Sequence, residues 1–283
     1  MLAEVLARVV AVVGVALPLA IAIFVGLERL KRTHTEWRAR LRTSAPVIVI
    51  LSIVLVCNRI MRRAGPSISR DIGIHVNFYE IEGEFVLLFQ RIASSEMNTY
   101  FTVAYVYGYT FLLIFPVIAY FALSNTRPFR RLLTAYSLNY AIGVVLYVLI
   151  VAYGPRNYMP ELVSETMLYD NSPQFQYLTQ EVNDRRNVFP SLHTSLSMTV
   201  ACFAYATRDE YPSWLPVAVG LALSIVVSTM YLGIHWGIDV AAGIALALVS
   251  VAASDRLVDR WSLRDLRDAV ASVRTTVDRQ LDR

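Results

Sequence analysis

The sequence predicts an all-α, polytopic membrane bundle of about six to seven transmembrane helices. Of its 283 residues, 56% are hydrophobic and only 17% charged. An average soluble domain holds about 45–50% apolar residues, glycine included, and about 25% charged ones. The mean hydropathy is +0.48. The apolar residues also come in runs long enough to cross a hydrocarbon core about 30 Å thick, which takes about 20 helical residues. These observations exclude a soluble globular enzyme, a disordered chain and a nucleic-acid binder. Cys57 and Cys202 are too few for a disulfide framework and read as apolar fillers.

In chain order, Val9–Leu27 is uncharged and is followed by the basic stretch Glu28–Arg42, which stops a span and does not resemble a signal cleavage site. Ala45–Met61 is the marginal span: its apolar core is short and Arg59 has to snorkel. Thr99–Leu123 and Leu132–Tyr153 carry no charge. Pro190–Thr207 has His193 as its one ionisable group, Trp214–Leu232 has none, and Trp236–Ala253 has only Asp239. In lipid the backbone must satisfy its own hydrogen bonds, so each is expected as a helix.

Between and beyond the spans, Ile81–Ile92 mixes Glu82, Glu84 and Arg91 with bulky apolar groups and predicts an interfacial amphipathic helix. The tail 254–283 spaces Leu263, Leu266, Val270, Val273 and Val277 as a two-heptad seam, read as a surface helix that would also allow a homodimer. The segment Gly154–Phe189 is long enough for a binding loop. The expected organisation is thus 1–98 for the N-terminal spans and interfacial segment, 99–253 for a catalytic membrane core, and 254–283 for a charged C-terminal helix. With seven spans, 17 of the 26 Lys and Arg residues fall on the side of the Arg29–Arg42 loop, Arg127–Arg131, Arg208 and the tail, and 9 on the other. The positive-inside rule then places the C-terminus in the cytoplasm and the long loops outside, in a plasma membrane. A re-entrant Ala45–Met61 would move the N-terminus inside.

The chemistry gathers on one predicted face. Pro190-Ser191-Leu192-His193 opens a span, with Pro190 expected at the first helical position. The free amides of that helix start, with the Ser191 hydroxyl, would suit an anion, and His193 could give a proton to a leaving oxygen. His235 and Asp239 stand at i and i+4, so they share a helix face. A carboxylate on one imidazole nitrogen fixes the tautomer and makes the other a better nucleophile. An acid inside a span is itself a functional signal. The chain crosses once after His193 and back before His235, so both histidines return to one face. Arg156 ends on that face; Arg127, at the other end of the same span, reads as a cytoplasmic anchor. His34 and His75 read as loop or interface residues, the tyrosines of Tyr100–Tyr109 as interface belt and packing, and Arg185 and Arg186 as either anion contacts or solvated loop. Zinc is the other use for two His and an Asp, but Asp239 is placed to serve its own His.

These residues resemble the type 2 phosphatidic acid phosphatase superfamily, which shares its site with vanadium haloperoxidases. Pro190-Ser191-Leu192-His193 is similar to its Pro-Ser-Gly-His motif, and Ser228-Thr229-x5-His235-x3-Asp239 to its Ser-Arg-x5-His-x3-Asp motif. The likeness spans about Leu132 to Ala253. It implies that His235 becomes a phosphohistidine, that Asp239 orients it, and that His193 is the general acid. No metal or cofactor is implied. Leu192 stands for the usual Gly and Thr229 for the usual Arg. The first family motif, Lys-x6-Arg-Pro, is not recognisable on the expected face, and Arg156 is its best surviving cation. This pattern is similar to the inositol phosphorylceramide synthase-like (inositolphosphotransferase) branch. A phosphodiester monoanion needs fewer guanidinium contacts than a phosphomonoester dianion, which agrees with a single Arg.

The expected function is therefore transfer of a phospho-head group from a membrane phospholipid or isoprenoid phosphate to a lipid alcohol, with Arg156, Ser191 and Leu192 on the phosphate. A lipid phosphate or polyprenyl diphosphate phosphatase is the alternative, and a non-catalytic scaffold or transporter is the alternative of another class.

Overall fold

The computed structural model describes residues 2–159, 163 and 188–258. The heptad seam of the tail and Arg185 and Arg186 lie outside them. The first helix, α1 (Leu2–Ala20), runs through a wide turn at Ile21–Val25 and stops at Gly26, whose φ of 79° breaks the helical path. The second, α2 (Leu27–Ile72), is one continuous helix of 46 residues. At 1.5 Å per residue it is about 69 Å long, more than twice a hydrocarbon core. Ala45–Met61 is thus the middle of a through-going span. The basic stretch Arg29–Arg42, expected as a loop, is instead its overhanging first turns, and His34 lies there on the helix surface.

Next, β1 (Ile74–His75) pairs in parallel with β2 (Ile150–Val151), tying the end of α2 to the end of α7 (Arg127–Leu149). Two short helices follow β1, α3 (Phe78–Glu82) and α4 (Leu87–Gln90). The amphipathic helix expected over Ile81–Ile92 is therefore broken in two, because Gly83 takes a φ of 62°. One face of the broken segment stays apolar and open, with Ile81, Phe85, Leu88 and Ile92 all exposed. Helix α5 (Ser95–Val103) continues through a π-helical turn, Ala104–Gly108, into α6 (Tyr109–Phe121). A single turn, α8 (Pro155–Tyr158), follows β2, and then come α9 (Leu192–Ala206), α10 (Trp214–Tyr231) and α11 (Gly237–Leu257).

Among the described residues, six helical segments are long and apolar enough to cross a membrane, so the fold is an all-α multi-pass bundle. The seventh, α9, has only 15 residues. It is enclosed by α6, α7, α10 and α11. Protein surrounds it, so it does not need the full length that a lipid-facing helix requires. For the same reason it tolerates Ser195, Ser197 and Thr199, all at 0% exposure. Asn139 of α7 binds two of them, one turn apart: its amide donates to the Thr199 hydroxyl at 3.2 Å and its oxygen accepts from the Ser195 hydroxyl. Such interhelical hydrogen bonds hold helices together where apolar burial cannot.

The bundle has two chemically different ends. At one, Arg29 pairs with Glu210, Arg40 donates to the carbonyls of Phe121 and Leu123, and Arg127 and Arg131 share Asp255. This is the basic side expected from the loop count, and Arg127 is held there. The other end holds the β1–β2 pair and the residues below. Replacing Asn139 with Leu is expected to cost about 1–2 kcal/mol, the upper range for such bonds, read as a lower midpoint of thermal unfolding in detergent.

Candidate active site

The site is built where three short segments meet at the end opposite the basic one. The first is the turn from α10 to α11. The Thr229 carbonyl accepts from the amides of both Ile234 and His235, and Gly233 takes a φ of 64° to let the chain reverse. The turn presents His235, 2% exposed, directly before α11, which carries Asp239 at 0% exposure. The His235 Nδ1 lies 3.4 Å from the Asp239 Oδ2. That is a loose contact, longer than a well-formed hydrogen bond; such contacts tighten as a reaction proceeds. The same Oδ2 accepts from the Trp236 amide at 2.8 Å, which fixes the carboxylate.

The second segment is Tyr153–Arg156. The Trp236 indole donates to the Tyr153 carbonyl at 2.8 Å, and the Arg156 amide donates to the Gly233 carbonyl at 3.0 Å. A side chain on Gly154 would meet the Ile234 carbonyl at 2.4 Å, so glycine is required there. Arg156 is thereby brought beside the His235 turn, as expected. Tyr79, Tyr158 and Trp236 pack as an aromatic cluster behind it.

The third is the start of α9. Its first helical residue is Leu192, so Pro190 lies two residues earlier than expected, because Ser191 takes the cap position and its hydroxyl accepts from the Thr194 amide. The Ser191 amide donates to the Asp239 carbonyl. Two of the amides expected to face an anion, those of Ser191 and Thr194, are thus already held, and Ser191 works first as a cap. The Leu192 side chain packs against Gly143 of α7. The Ser191 amide on the Asp239 carbonyl and the contact of Gly243 with Ser191 and Thr194 bring the two sequence motifs together.

Two further groups escaped the sequence reading. His193 is clamped between the rings of Tyr105, stacked at 4.5 Å, and Tyr109, at 4.2 Å. The π-helical turn at Ala104–Gly108 brings this pair inward, so these two tyrosines are not interface belt; π-turns of this kind recur at functional sites. Arg62 on α2 is the other. It stands on the face of α2 that packs against α7, where Gly65 lies beside Val148. The signal was a stripe of Asn58, Arg62, Gly65 and Ser69 at helical spacing, whose members are buried or half-buried while Arg59 and Arg63 are exposed.

A family model described as PAP2 superfamily matches residues 80–253. The chain belongs to the PAP2 superfamily. The match begins well before Leu132, so it takes in the α3–α6 region as well as both histidine motifs. Comparison with curated proteins and with solved structures returns no match. Membership makes this a multi-pass membrane enzyme of the lipid phosphoesterase type.

Gly243 of α11 sits where a side chain would meet the Ser191 carbonyl at 2.6 Å and Thr194 at 3.1 Å. Replacing Gly243 with Val is expected to push the His193 helix start away from α11 and to lower turnover about 100-fold, the cost of an ångström of misplacement, with the protein still monodisperse in detergent.

Proposed function

We propose that this enzyme transfers the phospho-head group of a membrane lipid to the hydroxyl of a second lipid through a phosphohistidine on His235. The observation that carries the reading is the buried His235–Asp239 contact at 3.4 Å, joined to the start of the His193 helix by the Ser191 amide on the Asp239 carbonyl. In the first step the free imidazole nitrogen of His235 attacks phosphorus in line, and the P–O bond to the departing lipid alkoxide breaks. His193 gives that oxygen its proton. Asp239 holds the His235 Nδ1 proton and balances the charge that develops on the ring. In the second step the acceptor hydroxyl gives its proton to His193 and attacks the phosphohistidine, freeing His235. Arg156 and the α9 start at Ser191 and Leu192 hold the non-bridging oxygens, and charge stabilisation there supplies much of the rate. The near-complete burial of His235 keeps bulk water from the intermediate, which favours an alcohol acceptor. Leu192 and the missing third-motif Arg support a likeness to the inositolphosphotransferase-like branch.

A second reading, hydrolysis of a lipid monophosphate or polyprenyl diphosphate, draws support from Arg62. It is a half-buried cation on the face of α2 that packs against α7, and a dianionic phosphate is the species that uses a second cation. In both readings the site faces outside a plasma membrane, the basic end and the C-terminus face the cytoplasm, and the open apolar row of α3 and α4 rests in the bilayer interface.

Vesicles holding the enzyme, a lipid alcohol and head-group-labelled phosphatidylinositol separate the readings. Label is expected to move into the second lipid; release of free phosphate from a lipid monophosphate, with no transferred head group, would sink the transferase reading. In the same assay turnover is expected to fall by more than about 10⁴-fold in His235→Ala. Loss of the acid in His193→Ala is expected to cost about 10²–10⁴-fold.

A further inference from the structure

The first turn of α11 is capped from outside its own helix. Glu82, at the end of α3, accepts from the Gly237 amide through Oε1 at 2.9 Å and from the Ile238 amide through Oε2 at 2.9 Å. With Asp239 on the Trp236 amide, carboxylates hold three successive amides directly after His235. The approach needs Gly237 itself: a side chain there would meet Phe85 at 3.1 Å and Glu82 at 3.3 Å. The same segment grips the other side of the turn, where the Gln90 amide donates to the Tyr231 carbonyl at 2.6 Å. The residues from Phe78 to Gln90 therefore form a strap across the whole turn that presents His235, joined at both its feet.

We propose that Glu82 is a positioning residue for His235, acting by fixing the first turn of α11 and with it the imidazole's alignment to Asp239. This rests on the reading of His235 as the nucleophile. The His235–Asp239 contact is loose at 3.4 Å, so its alignment depends on what holds the backbone between them. Glu82 binds two of the three residues between those two. A carboxylate at a helix start is also favoured by the helix dipole, so the cap is electrostatically secure. Its charge is close enough to be felt at Asp239.

The test is steady-state kinetics of the full-length enzyme in lipid vesicles, on the same labelled phosphatidylinositol, for Glu82→Ala, Glu82→Gln, Glu84→Ala and His235→Ala. Glu84 is exposed on the same strap and carries the same charge, so Glu84→Ala is expected to behave as the wild type. Glu82→Ala is expected to lower kcat about 100-fold with the lipid KM unchanged. Glu82→Gln keeps one acceptor oxygen and is expected to fall between. A purely structural role would instead reduce the amount of folded enzyme and leave kcat per folded molecule intact. If Glu82→Ala does not fold, Glu82→Gln decides alone, and its kcat at the wild-type value overturns the proposal. Wild-type kcat in Glu82→Ala beside an inactive His235→Ala overturns the positioning role and leaves the nucleophile reading standing. Activity surviving in His235→Ala overturns both.

Discussion

The site end of the molecule hangs on the helix start at Trp236–Ile238. Three backbone amides emerge there without intrahelical partners, as at any helix start. Asp239 and Glu82 take all three. That satisfaction fixes where His235 sits, because the imidazole is one residue upstream. The Trp236 indole then draws in Tyr153, Gly233 draws in Arg156, and the Asp239 carbonyl draws in Ser191. Segments far apart in the chain are thus assembled around one short run of backbone. The arrangement also has an electrostatic consequence. With carboxylates already on this helix start, its amides are taken and do not face an anion.

The bundle supports that end through close approach of small residues. Gly143 accommodates Leu192, and Gly243 accommodates Ser191 and Thr194. Helix α9 is therefore pressed between α7 and α11 with Ser195 and Thr199 bonded to Asn139. A helix with Ser and Thr facing inward would be poorly placed against lipid, and a central position resolves that conflict. The opposite end is pinned by arginines donating to carboxylates and to carbonyls at the end of α6. The two ends do different work on one scaffold: ion pairs anchor one, and carboxylates on a helix start together with aromatic packing shape the other.

Much of this was legible in the sequence. Span order, the polarity of the two ends and the convergence of His193, Arg156 and His235 follow from counting crossings, because a bilayer allows few alternatives. The His235–Asp239 pair follows from helical spacing alone. What was not legible depended on contacts distant in sequence or on a single backbone irregularity. Glu82 looked like one charge of an amphipathic face, and only folding brings it to Gly237. Gly83 was available to break that helix, but nothing local required it to. Tyr105 and Tyr109 looked like a belt because the π-helical turn that redirects them has no sequence signature. Arg62 was hidden among neighbouring basic residues, although the buried stripe around it was there to be read. A helix start close to Pro190 was foreseen, but its amides were counted as free because the acceptors are the Asp239 carbonyl on α11 and the Ser191 hydroxyl itself.

The central claim is that His235 carries the phosphoryl group. The most direct test incubates the vesicle-reconstituted enzyme with a lipid labelled at phosphorus and quenches in alkali, where phosphohistidine survives. The account predicts label on the protein that is lost on acid treatment and absent from His235→Ala. Equal labelling of His235→Ala, or rapid lipid turnover in the wild type with no label on the protein during a single turnover, would contradict it.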